Sequence, residues 1–127
     1  MNTANQFKFT STHEWINPQA QPMTMGISAH AQNLLGDIVF VELPEIGQKV
    51  TAGQEIGVLE SVKAAADYYA PITGTISDIN LQIKNQPELI NQDPYGQGWL
   101  CKITPDDSAQ ISALIDEQTY QNELIKD

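Results

Sequence analysis

Turn-forming residues recur at short spacing along this chain, at Asn17-Pro18, Gly36-Asp37, Pro44-Glu45-Ile46-Gly47, Ala52-Gly53, Pro71-Ile72-Thr73-Gly74 and Asp93-Pro94-Tyr95-Gly96. Between them lie short runs rich in β-branched residues, at 23–27, 38–43, 55–62, 75–79 and 99–103. Short strands with frequent turns predict a mostly β chain, folded as a sandwich or barrel. Ile38-Val39-Phe40-Val41 is continuously apolar, the pattern of a strand buried on both faces.

Helical signals are few. Residues 29–35 read as a short helix closed by Gly36 at its C-terminal cap. Asp106, Asp107 and Ser108 offer N-cap oxygens and negative charge to a helix near the end of the chain. Ile111, Leu114 and Ile115 would form its apolar stripe, and Tyr120 with Leu124 repeats the spacing in a last helical segment.

The length of 127 residues and the apolar content of 41% suit one domain, 1–127, with a single core. No apolar run is long enough to span a bilayer. The first residues lack the basic and apolar regions of a secretory signal and the arginines of a transit peptide. A net charge of −10 with six Lys and Arg argues against nucleic acid and anionic membrane surfaces. It favours solubility, or encounter with basic faces of protein partners. The single cysteine, Cys101, excludes an intramolecular disulfide and points to a reducing compartment. It alternates with Trp99 and Ile103, so a buried thiol is expected. His13, His30 and Cys101 show no metal-ligand spacing, so no metal is assigned. No nucleophile–base order, P-loop or dinucleotide fingerprint is present, and Trp15 and Trp99 read as core anchors.

One lysine stands apart. Lys63 lies in Gly57-Val58-Leu59-Glu60-Ser61-Val62-Lys63-Ala64-Ala65-Ala66-Asp67-Tyr68-Tyr69-Ala70-Pro71-Ile72-Thr73-Gly74. An apolar run leads in, three small residues follow, and the chain then becomes extended again. The pattern predicts a hairpin presenting one long amine at its tip, with room for another enzyme to approach.

This segment closely resembles the lipoyl-lysine segment of the glycine cleavage system H-protein family, E-S-V-K-A-x-S-D followed by A-P-x-x-G. The resemblance continues elsewhere. Phe9-Thr10-Ser11-Thr12-His13-Glu14-Trp15 is similar to Y-T-x-S-H-E-W, and Gly26-Ile27-Ser28 with Ala31-Gln32 is similar to G-I-T-x-x-A-Q. Residues 35–44 match L-G-D-I-V-F-V-E-L-P, residues 87–91 match P-E-L-V-N, and residues 93–100 match D-P-Y-G-x-G-W-L. The blocks run in order from about residue 7 to about residue 124.

The resemblance implies a lipoyl-domain-like flattened β-sandwich (a barrel-sandwich hybrid) with a short helix in its N-terminal half and a C-terminal helical segment. It implies lipoate joined covalently to Lys63 and a non-enzymatic shuttle. The carrier would take an aminomethyl group from the pyridoxal-phosphate glycine decarboxylase (P-protein) to the aminomethyltransferase (T-protein). Dihydrolipoamide dehydrogenase (L-protein) would reoxidise the arm. Lipoate-attaching enzymes are further partners, and the implied location is the bacterial cytoplasm or, for a mature organelle form, the mitochondrial matrix. Glu60 and Gly74 resemble features read by the attaching enzyme. The plainer readings are a solvated strand carboxylate and a turn glycine needing positive φ. Glu14 and Asp67 are placed near the cleft receiving the loaded arm, where carboxylates would favour a cationic amine, unless they are ordinary surface groups.

Three other carriers are alternatives to this reading. A biotin carrier would show M-K-M, but Val62 and Ala64 flank the lysine. Lipoyl domains of 2-oxo acid dehydrogenases show D-K-A and belong to longer chains with Pro/Ala-rich linkers. An H-like protein that stores or relays lipoate would share nearly all the residues above. Ala66 and Thr12 stand where the family usually has Ser, and Gln92 and Gln97 replace common Glu positions. Leu81 stands where Glu is frequent, and Leu34 where some members carry His. These departures bear on the shelter of the loaded arm and leave the attachment point untouched.

Overall fold

The computed structural model describes residues 7–20 and 22–124, with the side chains of Ser108, Ala109, Ser112, Glu123 and Leu124 outside that description. The expected capping oxygen of Ser108 and the Tyr120–Leu124 pairing therefore lie outside the described residues.

The elements run β1 (Lys8–Phe9), β2 (Glu14–Asn17), β3 (Met23–Ile27), α1 (Ala29–Leu35), β4 (Ile38–Glu42), β5 (Lys49–Val50), β6 (Glu55–Ser61), β7 (Ala65–Tyr69) and β8 (Gly74–Ile79). Then come α2 (Gln82–Asn85), α3 (Glu88–Gln92), β9 (Cys101–Pro105), β10 (Ile115–Asp116) and α4 (Glu117–Thr119). Among the described residues, seven strands form one sheet in the order β10-β1-β2-β3-β9-β8-β5, and β4-β6-β7 form a second. The pairings are antiparallel, and neither sheet closes on itself. This is the mostly β, two-sheet sandwich expected from the turn spacing.

The core lies between the sheets. Met25, Ile27, Ile76 and Ile103 of the larger sheet meet Val41, Leu59 and Tyr68 of the smaller, and Ile83 and Ile90 from α2 and α3 join them. A second, aromatic cluster joins β1 and β2 to the C-terminal segment: Phe7 stacks on Trp15 at 4.5 Å and Phe9 on Tyr120 at 4.4 Å between centroids. Trp15 is buried, and Trp99 is half-buried against this cluster. Cys101 is fully buried, and burial pushes its thiol up to about 12.

Three expectations need correction. Ile38-Val39-Phe40-Val41 is not buried on both faces: Val39 is 54% and Phe40 49% exposed. β4 is an edge strand, and between Ile38 and Phe40 it advances two residues against one on β6. Such a bulge inserts an unpaired residue and bends the strand, which brings both side chains to solvent.

The C-terminal stripe is not one α-helix. Ser108–Ala113 is a 3-10 helix, whereas Ile115 belongs to β10, paired with Phe9 of β1. The backbone groups of Ile115 enter a ladder with a strand more than a hundred residues away, which local periodicity cannot reveal. Asp116 then caps α4, accepting from the Thr119 N–H at 2.8 Å, and the chain continues as a π-helical turn, Tyr120–Leu124.

Gly74 does not adopt positive φ, a conformation that the described glycines show at Gly36, Gly47 and Gly53. It is buried in β8, where a Cβ would collide with the Thr104 carbonyl oxygen. Close approach of two strands requires the glycine there. The short helices α2 and α3 were not anticipated, since four or five residues are too few to show a helical period.

Candidate functional site

Lys63 occupies the turn between β6 and β7 and is exposed. Ser61 builds this turn. Its Oγ accepts the N–H groups of Lys63 and Ala64, each at 3.1 Å, and its own N–H donates to the Ala64 carbonyl at 2.8 Å. Local hydroxyl–backbone bonds of this kind favour a turn over a continued strand. The tip is also tied sideways, because the Val62 N–H donates to the Asp37 carbonyl at 3.0 Å.

Asp37 follows α1, the helix read from the sequence. Ser28 caps its start by accepting the Ala31 N–H, and Gly36 ends it at φ 83°. Gly36 has a second role. A Cβ there would lie 2.9 Å from Cε of Lys63. The lysine stem therefore rests against bare backbone at the end of α1.

A groove of about 170 Å³ opens beside the tip. Ile27, Ala31, Leu34, Leu35 and Leu59 give it apolar walls, while Thr12, His13 and Glu14 contribute polar groups. Leu35 of the groove wall precedes Gly36, on which the Lys63 stem rests, and Ala66 of the wall lies three residues beyond Lys63.

Glu14 lines the groove but is 2% exposed. Its Oε1 accepts from the hydroxyls of Thr10 and Thr12, and Oε2 accepts the Tyr69 N–H at 3.0 Å. Burial holds its carboxyl above the ordinary range, and the donors partly offset this. The carboxylate thus fastens the loop before β2 to β7. Asp67 also borders the groove and is exposed. Its charge is the first cause that raises the neighbouring Glu55 carboxyl, with burial, a hydrogen bond to Asp67 and the charge of Glu42 adding to it.

His13 adopts φ 74°, an uncommon left-handed conformation for a residue with a side chain. Its Nδ1 is 2.6 Å from the Tyr120 hydroxyl, and its ring centroid is 5.0 Å from that of His30. Burial, and next the charge of His30, lower its pKa. Among the described residues no group of three or more His, Cys, Asp and Glu could hold a metal ion.

The groove is lined by both Glu14 and Asp67, whereas Lys63 stands on the β6–β7 turn outside its lining. Glu60 is exposed beside the tip, paired with Ala65. It is not among the residues that line the groove. Gly74 lies in the other sheet. Four residues carry more of the site than the sequence alone assigned: Ser61, Gly36, Thr10 and Thr12. Ser61 had a local signal, a hydroxyl two residues before the lysine. Thr10 and Thr12 act within four positions of Glu14, whereas Gly36 meets Lys63 only through the fold.

The glycine cleavage H-protein family model matches residues 7–127. The chain belongs to the glycine cleavage H-protein family. It is 52% identical to the glycine cleavage system H protein of Legionella pneumophila (strain Corby) over 123 residues, 97% of this chain and 98% of the relative. Identity to the H protein of Idiomarina loihiensis is 50% over 127 residues, 99% and 98% of the two chains. The fold matches the crystal structure of the H protein from Mycobacterium marinum with a TM-score of 0.85 and 36% identity, over 94% of this chain and 96% of that one. These likenesses favour the H-protein reading over a biotin carrier or a 2-oxo acid dehydrogenase lipoyl domain. Among the described residues no helix is long and apolar enough to cross a membrane.

Proposed function

We propose that this H-protein family chain carries lipoate as an amide on Nζ of Lys63 and acts as a mobile carrier without catalysis of its own. The observation that carries the reading is the exposed Lys63 at a braced hairpin tip, beside an apolar groove. The groove suits the group: an alkyl chain matches walls of Ile27, Leu35 and Leu59. When attached, the dithiolane supplies a disulfide that opens on accepting an aminomethyl group with two electrons and is later re-formed by oxidation.

The chain's own residues bind and orient. Ser61 and Asp37 hold the tip, so the amine is offered at a defined point. The apolar walls exclude water from whatever lies in the groove. Glu14 and Asp67 place negative charge along it, which favours a cationic amine. The partners under this reading are P-protein, T-protein, L-protein and a lipoate-attaching enzyme. Glu60 is the candidate contact for the last, while the burial of Gly74 gives that residue a structural reason to be glycine.

Intact mass and peptide mapping after incubation with a lipoate-attaching enzyme test the proposal. One lipoyl group on Lys63, lost in Lys63→Ala, is expected. A lipoyl group on another lysine, or retained in the variant, overturns it.

A further inference from the structure

Asn91 does not touch Lys63, yet it organises the surface on which the lysine lies. Its Oδ1 accepts the Ile38 N–H at 2.8 Å. Its Nδ2 donates to the Gly36 carbonyl at 2.8 Å and to Oε1 of Gln32 at 3.0 Å. One carboxamide from α3 therefore binds the last turn of α1, the residue that ends it and the first residue of β4. These bonds bridge 53 to 59 positions of chain.

The clamped segment, Gly36-Asp37, is also the bed of the hairpin tip. The Lys63 stem lies over Gly36, where a Cβ would come within 2.9 Å of Cε, and the Asp37 carbonyl holds the Val62 N–H. At φ 83° and ψ −159° Gly36 occupies a region essentially restricted to glycine. Such a conformation persists only when its surroundings over-determine it. Asn91 supplies that constraint on the far side, through the Gly36 carbonyl and the Ile38 N–H, while the Gly36 N–H donates to the Gln32 carbonyl on the near side.

We infer that Asn91 is a positioning residue for the Lys63 arm: by fixing the Gly36-Asp37 bed it sets the direction in which the side chain leaves the tip, alongside α1 and toward the groove. The inference rests on the lipoyl reading of Lys63. A bed left loose widens the range of positions of Nζ, and misplacement of a reacting atom by about 1 Å can cost about 10²-fold in rate. The docking surface for the attaching enzyme is unaltered, so the loss falls on kcat rather than KM.

The test compares the wild type with Asn91→Asp, which keeps the acceptor but loses both donations, and with Gly36→Ala, which pushes the stem away. Lipoate attachment is measured with a lipoate-attaching enzyme, on protein shown to be folded by circular dichroism. Wild type modified at Lys63, with kcat for the variants on the order of 10- to 100-fold lower at unchanged KM, supports the inference. A folding defect alone would lower the concentration of competent substrate, raising the apparent KM and leaving kcat unchanged. Wild-type kcat in a folded variant overturns the inference while sparing the lipoyl reading. Wild type not modified at Lys63 overturns both. Should the variants fail to fold, NMR on the unmodified wild type decides: a nuclear Overhauser contact between the Lys63 Cε protons and the Gly36 Cα protons is expected, and its absence overturns the inference.

Discussion

The Tyr120 hydroxyl stands 2.6 Å from Nδ1 of His13, across 107 residues of sequence. It is equally close to the buried Ser28 hydroxyl, which in turn accepts the Ala31 N–H. Burial raises the Tyr120 phenol to about 12, so it keeps its proton near neutral pH. With His13 neutral, Ser28 can donate to Tyr120 and Tyr120 to His13, giving every oxygen in the row a partner. Tyr120→Phe should retain the stack on Phe9 and cost about 1–3 kcal/mol, the range for an unmatched buried polar group. Urea unfolding measures it. A loss below about 0.5 kcal/mol would mean that water replaces the phenol.

His13 also sets a pH dependence. Its folded pKa is below the ordinary value of 6.5, so the unfolded chain takes the proton first. The stability associated with neutral His13 is full above 6.5 and is lost as pH falls through the lowered folded value. His13→Asn, which tolerates the positive φ, should flatten the slope of unfolding free energy below pH 6.5. Glu14 acts with the opposite sign, since its folded pKa is raised above 4.5. Its contribution is full below 4.5 and is lost as pH rises through the folded value. An unchanged slope in the Asn variant would remove His13 as its source.

Glu14 and Asp67 can be separated by their surroundings. In Glu14→Gln the amide oxygen can accept the Tyr69 N–H while the NH₂ group meets the Thr10 and Thr12 hydroxyls, which rotate to accept. Glu14→Ala leaves those donors unmatched and should cost about 1–3 kcal/mol, whereas exposed Asp67→Asn should stay within about 0.5 kcal/mol. Under the proposed function, Glu14→Gln and Asp67→Asn both remove charge from the groove at little cost to the fold. Each should speed spontaneous loss of the aminomethyl load several-fold, followed by mass spectrometry without T-protein. Wild-type rates in both would sink the sheltering role.

The bulge in β4 predicts a sharp contrast between neighbours. Ile38 is 3% and Val39 54% exposed. Ile38→Ala should cost about 2–5 kcal/mol, and Val39→Ser should stay within about 0.5 kcal/mol. Guanidinium unfolding of both variants checks the assignment; equal losses would refute it.

The legible parts of the molecule are those whose cause is local. Gly36 after a short apolar helix, the turns between strands and the lysine in its small-residue setting each need only a few neighbouring residues. The β4 bulge was hidden because a count of apolar residues cannot register one unpaired position on a partner strand. The spacing of Ile115 fits a helix, and the ladder with Phe9 overrides that preference. Glu14 was legible as a site residue by resemblance. Its fastening role depends on Tyr69, 55 positions away, and nothing near residue 14 signals it. Asn91 is hidden in the same way.

A carrier must meet several partners without sticking to copies of itself, and the β4 edge bears on this. A flat edge strand with apolar side chains offers a row of unpaired backbone groups on which another chain can build a sheet. The extra residue at Val39 interrupts that row, and exposed Glu42 sets a charge at its far end. With a net charge of −10, approaching copies also repel one another. The irregularity that exposes Val39 and Phe40 thereby works against strand-to-strand aggregation, leaving these apolar groups accessible without inviting a growing sheet.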